Sequence, residues 1–417
     1  MFSETKSLFK DYGGLIFAGS LLFFFSIFGQ SSIFGVYFND IQKSLDMTKT
    51  EISALYATAT IVSGFLLIFT GKFIDKHRLR YILAVTIIGL GIGCIALAVS
   101  KTAASLLVAF FLLRHFGQAL MIHSANTSIN RYVEKGKGKA MAIIGIGGPL
   151  HVLVIPPLAI WLGQYMEWRT AWIIYGAFIL LFLAPYFWIY MRRHQATTHE
   201  RWLRAQQKKK EERKDAVARE WTRRHVIRDW RFYCLCAILI IPAFFGTIIY
   251  LFQIDLSNEL GITPITYATG LGFAAFATII FSFVSGIIID KYGEKPILIS
   301  MPIFYTIGIL SICCGLGVSF VFAGLFIVNG VAGAMSTCGG PILVNLYGTR
   351  NIGAIRALVA SINITASAIS PVLFGFLMDK GFSLISILAA CSFYGIVAWG
   401  FALPIFNDIE KSKKKNN

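Results

Sequence analysis

The stretch TGKFIDKHRLR, residues 70–80, returns as SGIIIDKYGEK at residues 285–295. Gly71, Asp75 and Lys76 match Gly286, Asp290 and Lys291, each pair 215 positions apart. Each copy closes a long apolar run with the same small charged turn. A second match lies farther on, where Tyr132 and Gly138 correspond to Tyr347 and Gly353 at the same offset of 215. A chain that repeats its turns at half its length reads as two copies of one unit.

The composition says what those units are made of. Of 417 residues, 56% are apolar and 14% charged, where an ordinary soluble domain carries roughly a quarter charged residues. The mean hydropathy is +0.68. Apolar runs recur at about 14–38, 51–71, 81–100, 103–130, 139–163, 169–191, 232–256, 266–289, 297–317, 320–346, 354–378 and 384–406. Most are about 20 residues long, the length that roughly 30 Å of hydrocarbon demands of a helix. The expected fold is therefore an all-α membrane protein with twelve transmembrane helices in two six-helix, pseudo-symmetric halves. The expected divisions are 1–191, a basic cytoplasmic linker at 192–231, 232–406, and a basic tail at 407–417. The first run is long and lacks a small-residue exit, so it is expected to be a span and not a cleaved signal.

Charge orients the chain. With both termini in the cytoplasm, 32 of the 38 Lys and Arg fall in inside segments, as the positive-inside rule requires. The basic run at 201–228 then lies beside anionic headgroups, with Trp202, Trp221 and Trp230 as expected anchors, and a nucleic-acid partner is not expected. The seven Cys fall in or beside apolar runs without a ligand-like cluster, so they read as small buried hydrophobes. No metal or cofactor is expected. No G-x-x-x-x-G-K-[ST], H-E-x-x-H or G-x-S-x-G occurs, which speaks against an ATP-driven pump or an enzyme.

The repeated turn resembles the signature of the major facilitator superfamily, G-x-x-x-D-[RK]-x-G-[RK]-[RK]. The first copy supplies Gly71, Asp75, Lys76 and Arg80, with Arg78 and Leu79 out of pattern. The second keeps Gly286, Asp290, Lys291, Gly293 and Lys295, with Glu294 out of pattern. The resemblance implies a secondary transporter whose halves rock about a central site, and a cytoplasmic latch at these turns. Arg131 and Glu134, at the end of the fourth run, are the expected partners of the first latch. Glycine in the turn is expected to let two helices approach closely.

Ionisable groups inside a span are functional candidates by default. Arg114 is the one base well inside a run, in LLRHFGQALMIHSANTSINRY. At about 100° per residue it shares a face with Gln118, while His123, Asn126, Thr127 and Asn130 lie on the opposite face. His151 falls mid-run in GIGGPLHVLVIPPL, where a histidine could carry a proton. Gln30, Tyr37, Tyr250, Asn329 and Asn363 complete the candidates for substrate binding or proton coupling, each open to a plain helix–helix role. The aromatics at 23–28 are expected to be mostly lipid-facing, and Arg356 is expected at the mouth of the eleventh helix.

Within the superfamily, FGQSSIFGVYFNDI, RHFGQALMIHSANTSINRY and KGKAMAIIGIGGP resemble the bacterial monocarboxylate and oxalate–formate branch. That likeness implies a proton-coupled carrier of a small organic anion, monomeric, in a bacterial inner membrane. Competing readings are movement of a drug-like compound or an iron–polycarboxylate chelate, and a sensor that moves nothing.

Overall fold

The computed structural model describes residues 2–133, 136–192, 221–348 and 351–416, the side chains of 2–7, 71–76 and 405–416 excepted. Every described element is helical. Among the described residues, twelve helices are long and apolar enough to cross a membrane. They are α1 (Leu8–Ser44), α2 (Lys49–Thr70), α3 (Leu79–Ala98), α4 (Ala103–Tyr132), α5 (Lys137–Leu162), α6 (Trp168–Arg192), α7 (Trp230–Leu251), α8 (Pro264–Tyr292), α9 (Lys295–Cys313), α10 (Val318–Tyr347), α11 (Ile352–Asp379) and α12 (Leu384–Pro404). The all-α, twelve-span expectation holds, with ends shifted by a few residues. Helices are forced here because hydrocarbon offers the backbone no water, so each N–H and C=O must be satisfied within its own segment.

The side chains sort as a membrane protein requires. Phe65, Leu181, Phe283 and Phe393 are each more than 60% exposed, a surface that water would not tolerate in such extent. Trp172, Tyr267 and Tyr305 are fully buried. Two residues depart from the general expectation. Phe28, among the mostly lipid-facing aromatics at 23–28, is buried, with its ring 5.0 Å from Tyr175 and 6.4 Å from Trp172. Cys314 is exposed, unlike the buried Cys94, Cys236 and Cys338, because it sits where α9 ends.

The chain divides into two units, Met1–Asp46 with Thr58–Ala218, and Met47–Ala57 with Arg219–Asn417. In the first, α3 packs on α4 and α6, and α1 packs on α4 and α5. In the second, α9 packs on α10 and α12, and α7 packs on α10 and α11. Adding six to each helix of the first set produces the second, so the repeated turns mark a repeated packing scheme.

Small residues set the tightest crossings. A Cβ on Gly324 of α10 would lie 2.5 Å from the Gly308 carbonyl oxygen and 2.6 Å from Ile312 Cγ1 of α9. The helices meet backbone to backbone there, where dispersion contacts are densest, and lipid chains supply no competing hydrophobic drive. In the first unit Gly176 of α6 has the same relation to Gly91 and Ile95 of α3.

Helix ends are closed by side chains. Glu259 accepts from the backbone N–H of Leu384 at 2.8 Å and Ile385 at 3.0 Å, two of the donors that every helix start leaves open. Asp379 does the same for Lys49 and Thr50, at 3.1 and 2.8 Å, and Lys49 Nζ pairs with Asp255 at 2.8 Å. These contacts explain why residues 47–57 pack with the second unit. Linker residues 193–220, Trp202 among them, lie outside the described residues. At the linker's end the Trp221 ring packs edge-on to Tyr347 at 5.2 Å, and its carbonyl accepts from Asn351 Nδ2. Trp230 remains 49% exposed.

Gly324→Leu is expected to destabilise by about 1–3 kcal/mol or to prevent folding, since only backbone could yield. Gly400→Leu, with nothing within 4 Å of its Cβ, should melt like the parent. Thermal unfolding in detergent measures both; equal melting of the two variants would contradict the crossing. Glu259→Ala should cost about 0.5–2 kcal/mol in the same measurement, the usual effect of losing a helix cap.

Candidate functional site

The first unit's polar centre begins at a break. α1 is helical to Phe25, forms a 3-10 turn over Ser26–Gly29, extends at Gln30 (φ −95, ψ 154) and resumes at Ser31. Such a break leaves carbonyls without helical N–H partners. Arg114 takes one of them: its Nη1 donates to the Gly29 oxygen at 2.9 Å, and its Nε donates to Thr60 Oγ1 at 3.0 Å. The side chain is 4% exposed.

Two glycines bring it there. A Cβ on Gly117 would lie 2.8 Å from the Cα and N of Gly29, so α1 and α4 touch through bare backbone. That contact places Gln30 and Gln118, the residues that follow these glycines, at one crossing. Around it, Leu113–Leu120 is a π-helix, a form that recurs at functional sites. Its i→i+5 bonding takes about one more residue into each turn. The uniform 100° step therefore fails across 113–120, and the assignment of Arg114 and His123 to opposite faces fails with it. Nothing in hydropathy reports an inserted residue of this kind.

The remaining candidates of this unit have defined surroundings. His115 is buried, its ring stacked on Phe111 at 5.6 Å. His151 is buried and its Nδ1 donates to the Phe23 carbonyl at 3.0 Å, tying α5 to α1. Tyr37 is buried, its hydroxyl 2.8 Å from the Tyr175 hydroxyl and its ring edge-on to Trp172 at 5.8 Å. Tyr175 and Thr60 were not singled out in sequence; each is one of many hydroxyls, and only the fold gives them partners. Gln30, Gln118 and His123 are partly exposed.

In the second unit, the Tyr250 hydroxyl donates to Asn329 Oδ1 at 2.6 Å, while Asn329 Nδ2 donates to the Leu325 carbonyl of its own helix at 2.9 Å. Asn363 is placed differently. It lines a cavity of about 550 Å³ with Pro242, Ser336, Thr337, Gly340 and Arg356. That volume falls in the range of small-molecule sites, about 300–1,000 Å³. The Asn363 side-chain oxygen is buried without a hydrogen-bond partner. Arg356 stands at the mouth of α11 as expected, exposed, and its Nη2 lies 2.6 Å from where a Cβ on Gly340 would stand. The bare glycine makes room for the guanidinium on the cavity wall.

The repeated turns are only partly described. Glu134 lies outside the described residues, as do the side chains of Gly71, Asp75 and Lys76. Arg131 is buried and donates to the His77 carbonyl at 3.1 Å, and the Arg80 guanidinium sits 3.6 Å over the Trp188 ring. In the second copy Asp290 and Lys291 are exposed. The neighbour that binds is Glu294, which departs from the signature: its Oε1 accepts from Asn345 Nδ2 of α10 at 2.7 Å. Gly293 adopts φ +76, a left-handed conformation that favours glycine. Gly286 does not make the expected close approach, since a Cβ there would meet only Thr337 Cγ2 at 4.0 Å.

Solved structures share this architecture. Two crystal structures of the nucleoside transporter NupG, one of them a mutant, superpose with TM-scores of 0.71 at 10% and 12% identity, covering 94% of this chain and 100% and 98% of theirs. A bacterial homologue of the human lysosomal transporter Spinster, inward-facing and occupied, gives 0.65 at 14% identity, covering 96% of this chain and 97% of that one. Its unoccupied form gives 0.66 at 15% identity, covering 95% and 97%. At such identities the likeness is one of fold, and it does not single out the monocarboxylate and oxalate–formate branch. No curated protein matches the sequence. The Major Facilitator Superfamily model matches residues 19–254 and 234–417, and the chain therefore belongs to that superfamily of multi-pass membrane transporters, which are not enzymes.

Proposed function

We propose that the chain is a secondary transporter that carries a small organic anion of carboxylate type across the membrane by alternating access. One observation carries the reading: the second unit's cavity is lined by Arg356 and neutral residues, with no Asp or Glu on its wall. Arg356 is exposed, and its charge, with no opposite charge on the wall, still favours anions over cations at the cavity's edge. The first unit has the same sign. Arg114 is buried there, while the acidic residues within that unit's spans stand near span ends, at Asp11 and Asp40.

Arg114 and Arg356 are assigned the positive field that holds the anion. Protons are the proposed coupling ion, with His151 as the candidate carrier. The resemblance of α1, α4 and α5 to the monocarboxylate and oxalate–formate branch supports the carboxylate. It also supports a bacterial inner membrane and a monomer. The charge asymmetry of the loops supports cytoplasmic termini and anionic headgroups along the inner face.

Uptake by proteoliposomes holding the purified chain tests the sign of the cargo. Carboxylates such as lactate, oxalate, citrate and malate should enter under an inward proton gradient, and a lipophilic cation should not. Arg114→Ala should abolish uptake, while Arg114→Lys, which keeps the charge and loses the fork, should retain a measurable part. Movement of the cation alone, or carboxylate uptake indifferent to Arg114, would overturn the assignment. Orientation has its own check. A membrane-impermeant maleimide should label Cys314 in intact cells, since Cys314 is exposed and the loop after α9 falls outside. Labelling that appears only after permeabilisation would reverse the topology.

A further inference from the structure

The end of the basic linker carries charge that its own neighbours do not answer. Residues 221–233 hold Arg223, Arg224, Arg228 and Arg231 against one acid, Asp229. Arg231 closes on that acid, with Nε 3.1 and 3.0 Å from its two carboxylate oxygens, and the acid is buried. Arg223 is also engaged, its Nε donating to the Ala354 carbonyl at 3.3 Å. Arg224 and Arg228 are exposed and have no ion-pair or hydrogen-bond partner among the described residues.

The backbone sets these two side by side. Arg223–Ile227 is one helical turn, and Arg228 at its end stays in the right-handed region (φ −92, ψ −7). Arg224 and Arg228 are therefore four apart on one face, with about 5–6 Å between their Cβ atoms. Like charges at that spacing oppose the helix, and an anion held between them reverses the sign of the effect. Val226 fills the inner side of the turn and is fully buried, so the arginines keep to the outer side.

The surface beside the pair selects the anion. Ile227, Trp230 and Tyr233 are each about half exposed. The Tyr233 hydroxyl donates to the Ile227 carbonyl at 2.8 Å, which fastens the turn to the start of α7, a membrane span. The guanidiniums thus border an apolar and aromatic strip that leads into hydrocarbon. A soluble phosphate would meet the arginines and leave the strip uncovered. A phospholipid meets both, its phosphate on the arginine forks and its glycerol and upper acyl chain on the strip. Trp and Tyr favour that depth of the bilayer.

We propose that Arg224 and Arg228, with Ile227, Trp230 and Tyr233, form a seat for one anionic phospholipid of the inner leaflet. The seat rests on the cytoplasmic placement of the linker and adds a defined site to the general attraction of the inner face for anionic headgroups. The same turn is fastened to the ends of α10 and α11 through Tyr347, Asn351 and Ala354. A lipid seated here therefore steadies two helices that line the second unit's cavity.

Native mass spectrometry of the full chain in neutral detergent tests the seat. The chain is titrated with phosphatidylglycerol or phosphatidylcholine of equal chain length, and melting curves confirm that each variant is folded. The first phosphatidylglycerol should bind about 25-fold tighter than the first phosphatidylcholine, from about 5-fold for each arginine. Arg228→Gln should lose about 5-fold, and Arg224→Gln with Arg228→Gln the whole preference. The two Lys substitutions together should keep most of it. Lys10→Gln with Lys139→Gln removes two exposed inner-face cations elsewhere and should bind as the parent does. Displacement of the lipid by excess inorganic phosphate would make this a soluble-anion site and overturn the proposal. A preference lost equally in the Lys10 and Lys139 variant leaves the general attraction standing and sinks the seat. A parent without preference, as when linker acids such as Glu220 fill the pair, sinks both.

Discussion

Hydrocarbon offers no hydrogen bonds, and the rest of this structure follows from that constraint. Twelve unbroken helices would satisfy it completely and would do nothing else. The interest lies where the helices depart from regularity, because each departure frees a backbone group that something must answer. At Gly29–Gln30 the answer is Arg114, whose guanidinium takes the Gly29 carbonyl. At Pro341 the freed carbonyl borders a cavity. Irregular backbone facing a recess is the usual sign of a solute site in transporters.

Close crossings make those departures possible. Gly29 against Gly117 brings α1 and α4 together without intervening side chains, and only at that separation does Arg114 reach the broken strand of backbone. Gly340 does the complementary thing in the second unit, leaving a space that Arg356 occupies. Charge is placed by missing side chains in both units. The same packing scheme, six helices apart, carries both arrangements, yet the two cations stand on different members of the repeat, α4 and α11. The duplication supplied a frame, and each unit was specialised within it.

Much of the fold was legible in order of physical strength. Hydrophobic length and the repeated turn reported twelve spans and two related sets, because both signals are long and redundant. The π stretch at Leu113–Leu120 was invisible: one extra residue per turn changes neither composition nor hydropathy, yet it rotates everything after it. Phe28 looked like lipid-facing bulk because burial within a bundle and exposure to lipid select the same side chains. Arg356 was read as a mouth residue and is one, exposed four residues from the start of α11, but no count along one helix reveals the glycine opposite it. Arg114 and Asn363 were legible as candidates, since a cation or an amide within a span is conspicuous. Their partners, Thr60, Gly29 and Gly340, were not, because a threonine or glycine in a membrane helix is commonplace.

The central claim is that the cavity among α7, α10 and α11 holds the anion. A structure of the chain in lipid nanodiscs, solved by electron cryomicroscopy with saturating malate, tests it most directly. The account predicts ligand density inside this cavity, beside the Arg356 guanidinium. Malate density elsewhere, with this cavity filled by a lipid chain, would contradict it.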